Sequence, residues 1–233
     1  MRALLLVLAG CSAAAGEPRS DEAPLVIELF TSQGCSSCPP ADRLLDKLAH
    51  AGELAGRPLA PLSFHVDYWD DLGWADPYAR PAWTERQRQY ARAIGDASVY
   101  TPELVIGGHV GVVGSQEKRA AQAIAAAPRQ QKLAATATWS KSSLTVEATA
   151  PASADVFVAV WEDGTRNKVP RGENAGATLV ADRVVRKLER VAQAGKTGKL
   201  TIAIDTAGRD IGAVAFAQAP DKRIIGATLL PRN

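Results

Sequence analysis

The residues with the clearest chemical potential are two cysteines at close spacing, in Cys35-Ser36-Ser37-Cys38. Thiols so placed can close a small disulfide ring and exchange it with thiols elsewhere. At a helix start, the first thiol of such a pair lies near unpaired backbone N–H groups and the positive helix end, which favour its thiolate. Cys35 is therefore the candidate nucleophile and Cys38 the candidate resolving thiol. The alternatives are a static disulfide or half of a metal site. Zinc usually takes four ligands, the chain has no second C-x-x-C, and its only histidines are His50, His65 and His109, so no structural zinc is expected. The 3 cysteines of the 233-residue chain are too few for a disulfide-stapled scaffold.

The elements around the pair follow from patterning. Leu25 to Phe30 is a short apolar run that reads as a buried strand. Thr31 to Gly34 is a turn, and Pro39-Pro40-Ala41-Asp42 opens a helical pattern with Leu44, Leu45 and Leu48 on one face. Pro61 to Val66 is a second strand. Strand, C-x-x-C, helix, strand is the order of a thioredoxin-type redox motif. Further on, Tyr100-Thr101-Pro102 leads into Glu103–Ile106, the turn Gly107-Gly108-His109, and Val110–Val113, a strand, a turn and its partner strand. In thioredoxin folds a cis-proline at this point faces the cysteines, so Pro102 is expected to be cis and to shape the substrate groove. A trans-proline at a strand edge is the alternative. Glu28 is the one charged residue in the first strand. Burial there is costly without a task or a partner, and thioredoxins use an acid on this strand for proton transfer to the resolving cysteine. Glu28 is the candidate for that role.

Residues 64–100 hold all 4 tyrosines and three of the 5 tryptophans. Tyrosine and tryptophan pair apolar bodies with polar tips, which suits a cleft beside a reactive site. Trp69, Trp74, Tyr100 and Thr101 are the candidate substrate-binding residues. Asp67, Asp70, Asp71 and Asp76 lack EF-hand spacing and read as caps and turn residues. His65, in a strand-like run, reads as a core histidine.

The stretch Phe30-Thr31-Ser32-Gln33-Gly34-Cys35-Ser36-Ser37-Cys38-Pro39-Pro40-Ala41-Asp42 is followed by Phe64 to Asp70, Gly73-Trp74, Asp76-Pro77, Arg86-Gln87, Tyr90 and Tyr100-Thr101-Pro102. Together these resemble a bacterial family of exported thioredoxin-like proteins classed as a domain of unknown function. The resemblance runs over about residues 24–230. It implies a thioredoxin-like fold with an added C-terminal domain and a presumed redox role. Two departures matter. Glu103 stands where glutamine commonly follows the Thr-Pro, and a carboxylate facing the cysteines would disfavour the thiolate. Pro39-Pro40 follows Cys38, whereas ordinary thioredoxins place a proline between the cysteines. The residue before a proline is biased away from helical angles, so the helix is expected to start at Pro39.

The N-terminus, Met1-Arg2 followed by an apolar run to Ala9 and small residues, reads as an export signal too short to span a bilayer. Leu8-Ala9-Gly10-Cys11 resembles a bacterial lipobox, which makes Cys11 the candidate lipidation site and membrane anchor. Cleavage after Ala13-Ala14-Ala15 is the alternative. Either route leads to the periplasm or cell envelope, an oxidising setting. Beyond about Gln130 the texture changes to short strand-like stretches separated by Ser, Pro and Gly, with no cysteine or histidine. This reads as an antiparallel sandwich that positions a partner or adds bulk.

The expected organisation is a signal and tether over 1–23, an α/β thioredoxin-like domain over 24–128 (a central mixed sheet flanked by helices), and an all-β sandwich-like domain over 129–233. Apolar residues at 46% and charged residues at 22% exclude a disordered or fibrous chain. A net charge of +2 gives no electrostatic case for nucleic-acid binding. The expected function is an exported, monomeric thiol–disulfide oxidoreductase acting on client or redox-partner protein thiols, with no cofactor. The alternatives are a binding module with an inert disulfide, and copper handling by Cys35, Cys38 and His65 or His109.

Overall fold

A computed structural model describes residues 22–205 and 209–232 of the chain. Cys11 and the export and lipidation expectations lie outside these residues. The first strand, β1 (Leu25–Thr31), is buried at every position. Leu25, Ile27 and Leu29 pack with α1 (Pro39–Ala51), while Val26 and Phe30 face the opposite side. Both faces of a central strand are thus covered, as its unbroken apolar run requires. The short β2 (Glu53–Leu54) precedes β3 (Arg57–His65), which pairs parallel to β1. A 3-10 turn (Asp70–Leu72) and α2 (Pro81–Ile94) follow, then β4 (Glu103–Ile106), β5 (Val110–Val113) and α3 (Glu117–Ala126).

The C-terminal half adds strands: β6 (Gln131–Lys132), β7 (Ala135–Trp139), β8 (Ser143–Thr149), β9 (Asp155–Asp163), β10 (Thr165–Lys168) and β11 (Thr178–Ala181). It ends with β12 (Val184–Ala192), β13 (Thr197–Ala203), β14 (Asp210–Gln218) and β15 (Ile224–Leu229).

These strands do not form a separate sandwich beside a helix-flanked thioredoxin domain. One ten-stranded mixed sheet runs in the order β5-β4-β1-β3-β12-β9-β14-β15-β6, with β2 on β3, and the protein is 42% strand and 19% helix with three helices among the described residues. The expectation of a thioredoxin-like α/β unit followed by an all-β sandwich-like unit is therefore corrected. The halves join where β12 pairs parallel to β3 at Val184 and Ser63, with the Ser63 N–H donating to the Arg183 carbonyl at 2.8 Å. The physical reason lies in β9 and β14. Val156, Val158 and Val160 of β9 face a three-stranded sheet of β13, β8 and β7, but the alternate residues Ala159 and Trp161 are buried on the other face. Strands covered on both faces belong inside a layered sheet.

One face of the long sheet carries a cluster drawn from both halves: Phe30 and Phe64, Trp83 and Tyr90 of α2, and Val214 and Phe216. Within it sits a buried ion pair. Arg86 donates through Nε and Nη2 to the two Glu28 carboxylate oxygens at 2.6 and 2.8 Å, and Tyr90 donates to Glu28 at 2.7 Å. Arg86 also donates to Gln218 Oε1 at 3.1 Å, and Gln218 Nε2 donates to the Tyr90 hydroxyl at 2.8 Å. The network fastens α2 to β1 and to β14. Removing one partner of such a pair strands the other charge, so Arg86→Ala is expected to cost about 3–5 kcal/mol. The check is urea unfolding, with the midpoint falling at an unchanged slope.

Candidate functional site

The backbone turns sharply after β1. Cys35 N–H donates to the Ser32 carbonyl and Cys38 N–H to the Cys35 carbonyl, both at 3.2 Å. Cys35 and Cys38 are joined as a disulfide with Cα atoms 5.4 Å apart, and both residues are fully buried. Helix α1 starts at Pro39, as expected, but Cys38 has right-handed helical angles (φ −79, ψ −37). Its ring closure to Cys35, and its carbonyl accepting from Ala41 and Asp42, outweigh the bias from the following proline. Pro39 and Pro40 have no N–H, so the helix start offers little of the donor cluster that would favour a Cys35 thiolate. A local hydroxyl stands in part for it: Ser37 Oγ lies 3.3 Å from Cys35 Sγ.

The aromatic segment reaches the turn that precedes the pair. Ideal Cβ geometry at Gly34 would bring a carbon to 3.1 Å of Trp69 Cβ, so Trp69 lies against the turn. Its indole N–H donates to Thr101 Oγ1 at 2.8 Å, and the Trp74 indole donates to Gln33 Oε1 at 3.2 Å. The Thr101–Pro102 peptide is cis. Pro102 sits on the α1 side: a Cβ on Gly114 would touch Leu29, Ala41 and Pro102 together. Tyr100 contributes its carbonyl, which accepts from Gln87 Nε2 at 2.7 Å. Trp69, Trp74, Thr101 and Pro102 thus gather around the Cys35–Cys38 turn.

Glu28 is engaged elsewhere. It points from β1 to the α2 face, where Arg86 and Tyr90 hold it, whereas α1 packs on the other face. The acid that accompanies the cysteines is Asp42, one helical turn beyond Cys38 and so on its side of α1. Thr31 Oγ1 donates to Asp42 Oδ1 at 2.7 Å. Burial lifts the Asp42 carboxyl to about 6, against the opposing pull of His65 and Thr31 and with help from Asp46 and Asp76. Beside it, His65, level with Thr31 across the β1–β3 ladder, pairs through Nδ1 with Asp76 at 2.6 Å. Asp76 also accepts from the Gln33 N–H at 2.7 Å, which ties the dyad to the cysteine turn. Burial opposes the imidazolium, but Asp76 and Asp42 outweigh it and raise His65 above its ordinary range. His65 Nε2 is buried and has no hydrogen-bond partner among the described residues. His65 is thus a core histidine, as read from the sequence, held in place by Asp76. His109 lies at the β4–β5 turn, beside Gly107 and Leu25 at the far end of β1. Among the described residues no group of three or more histidine, cysteine or acidic side chains is arranged to hold a metal.

The C-terminal half supplies contacts that motif reading missed. Asn174 Nδ2 donates to the Gln33 and Cys35 carbonyls, each at 2.9 Å, and Glu173 Oε2 accepts from the Ser36 N–H at 3.0 Å. Nothing in the local sequence of residues 172–174 marks them, because they reach the cysteines only through the β3–β12 junction. Asp42 and Asp76, by contrast, were legible as acids close to the motif, Asp42 as part of the segment that opens the helix and Asp76 as a cap or turn residue.

Glu103 does not face the cysteines. It follows Pro102 onto the α2 face, accepts from Gln87 Nε2 at 2.7 Å, and leaves Oε1 without a hydrogen-bond partner among the described residues. Burial, with Asp96 adding to it and Gln87 opposing it, raises the Glu103 carboxyl to about 7. Between roughly pH 4.5 and 7 the folded state then holds more protons than the unfolded chain, so this group lowers stability as pH rises through that window. Glu103→Gln is expected to stabilise the protein by about 1–3 kcal/mol at pH 8 and to have little effect at pH 4. Denaturation curves at the two pH values check the difference.

The whole arrangement has relatives. It is similar in structure to protein AGR_C_4864 of Agrobacterium tumefaciens, with a TM-score of 0.73 and 28% identity over 92% of this chain and 97% of that one. It is also similar in fold to HBP35 of Porphyromonas gingivalis, at a TM-score of 0.59 and 14% identity over 90% of this chain and 75% of that one. No curated protein matches the chain. Among the described residues no helix is long and apolar enough to cross a membrane. Residues 26–218 match the family described as a protein of unknown function, DUF1223, and the chain belongs to that family.

Proposed function

We propose that the protein is an exported thiol–disulfide oxidoreductase of the cell envelope that acts on protein thiols through Cys35 and Cys38. The observation that carries this reading is the Cys35–Cys38 bond at the β1–α1 turn with Asp42, a carboxyl raised to about 6, one helical turn away. The signal-like N-terminus and the lipobox-like Cys11 support export and a lipid anchor.

In the oxidising direction a client thiolate attacks Cys35 Sγ. The client–Cys35 disulfide forms, the Cys35–Cys38 bond breaks, and the electron pair leaves on Cys38 Sγ. Asp42, protonated below its raised pKa, delivers a proton to that sulfur, and Ser37 Oγ is placed to donate to Cys35 sulfur when it becomes the leaving thiolate. A second client thiol attacks the client sulfur and releases Cys35, so two client thiols become a disulfide and the pair becomes a dithiol. The reverse sequence reduces a client. Electrons pass to or from a partner protein's thiols, and no cofactor takes part.

One observation favours a second reading, an inert disulfide: both cysteines are fully buried. Cys38→Ser leaves Cys35 without its resolving thiol and separates the two. Mixed disulfides with client proteins, resolved on reducing gels after expression in the envelope, are expected from the oxidoreductase. No trapped client, together with a reduction potential below about −300 mV, would establish the inert pair instead.

Asp42→Asn provides a test of the proton route. An ionised, half-buried Asp42 weakens the fold as pH rises from about 4 to 6, so the amide variant is expected to be more stable at pH 7.5, by about 1–2 kcal/mol. The same change removes the proton donor and is expected to slow thiol–disulfide exchange by about tenfold to a hundredfold. A variant that exchanges at the wild-type rate across pH 5–8 would remove Asp42 from the mechanism.

A further inference from the structure

The β10–β11 hairpin stands apart from the rest of the C-terminal half. Its two strands pair only with each other, Thr165–Lys168 against Thr178–Ala181. Its base is pinned: Gly164 N–H donates to Asp182 at 2.7 Å, Arg183 N–H to Asp163 at 2.6 Å, and Asp182 N–H to Asp46 of α1 at 3.0 Å. Beyond the base it is lightly held. Among residues 166–180 only Val169 is buried, and the tip folds on itself through Gly176 to Val169 and Ala175 to Gly172 hydrogen bonds.

Yet the tip lands on the cysteine turn. Asn174 caps the carbonyls of Gln33 and Cys35, Glu173 takes the Ser36 N–H, and Gly172 rests against Trp74 and Gly73. A side chain at Gly172, which has φ +84, would meet Trp74 Cβ at 3.3 Å, so the close approach requires glycine. The groups that Glu173 and Asn174 occupy are backbone groups of the C-x-x-C and of the turn just before it.

We infer that the Gly172–Asn174 tip is an intramolecular stand-in for the client. It fills the backbone-recognition surface of the Cys35 loop, and it is displaced by protein segments that present a carboxylate next to a carboxamide or another N–H donor. This rests on the oxidoreductase reading and deepens it, because it accounts for a reactive pair that is fully buried at rest. Opening needs three hydrogen bonds and one glycine contact to part, with little apolar surface exposed, which places it at the low-energy end of local opening.

The test measures reduction of the Cys35–Cys38 disulfide by dithiothreitol, which becomes its cyclic disulfide as the pair becomes two thiols. Removing the three hydrogen bonds in the double variant Glu173→Ala/Asn174→Ala shifts the opening equilibrium by about tenfold or more, and the reduction rate is expected to rise to match. Gly172→Ala is an independent variant acting on the same docking, and it is expected to raise the rate too. Cooperative thermal unfolding shows that each variant is folded. In the wild type, hydrogen exchange of the Ser36 amide is expected to proceed through a local opening, faster than the amides of β1. Folded variants that reduce at the wild-type rate, or a Ser36 amide that exchanges only on global unfolding, would overturn the inference. Faster reduction without any client trapped by Cys38→Ser would leave the cover standing and remove the oxidoreductase reading. Trapped clients with unchanged reduction rates would do the opposite.

Discussion

The pairing of β12 with β3 is the constraint on which the rest of the architecture depends. Without it, β3 would present an open, apolar edge beside β1, a ready template for association with another chain. Only Val184 and Ser63 are in register, joined by the Ser63 N–H to Arg183 carbonyl bond. That short junction is enough to make the sheet continuous, and continuity has two consequences. It lets α2 cover one face built from both halves, with Phe64, Tyr90 and Phe216 around Arg86. It also fixes the β10–β11 hairpin, which enters β12 through Asp182 and Arg183, directly over α1 and the cysteine turn.

Buried charge is handled in two different ways on the two sides of β1. On the α2 face Glu28 is answered in full: two guanidinium hydrogen bonds and one phenol neutralise it, so it acts as a structural tie. Separating Glu28 from Arg86 would leave both charges unpaired in the core. On the side of the cysteines Asp42 has only the Thr31 hydroxyl as a direct hydrogen-bonding partner among the described residues, with His65 acting on it through its charge, and its carboxyl rises to about 6. A group left short of compensation near a reactive bond is the pattern expected of a proton donor rather than of a structural tie. Glu103 shows that a raised pKa alone does not define the site. It too is pushed up, to about 7, but it lies on the α2 face among Gln87 and Asp96.

The sequence carried the local part of this structure well. The apolar run of β1, the helix start at Pro39 and the tryptophans near the turn were all legible, because each depends on neighbours in the chain. The global arrangement was not. A change of texture near Gln130 resembles a domain boundary, but texture says nothing about which strand edges meet, and β9 and β14 join the first half's sheet through β12. Glu28 shows the same limit at the scale of one residue. An acid in a buried strand announces a need for a partner, yet whether that partner is a sulfur or Arg86 depends on which face it points to, and that follows from the register of the whole sheet. Glu173 and Asn174 carry no motif at all.

These placements bear on what governs reactivity at the cysteines. In many C-x-x-C sites the helix N-terminus supplies several free N–H groups, and a low thiol pKa makes the first cysteine reactive. Here Pro39 and Pro40 remove two of those donors, and the Cys38 carbonyl takes the amides of Ala41 and Asp42. What remains at Cys35 is a single hydroxyl, Ser37, at 3.3 Å. On the proposed oxidoreductase reading, reduced thiolate stabilisation shifts control of the reaction from acidity to access. Access to the buried pair is, on the same reading, held by the tip of the hairpin, whose three hydrogen bonds to Gln33, Cys35 and Ser36 bury almost no apolar surface. A weakly held cover over a modestly activated disulfide discriminates by recognition: a small oxidant or reductant gains nothing by binding, whereas a protein segment that replaces those hydrogen bonds opens the site at no net loss of bonds.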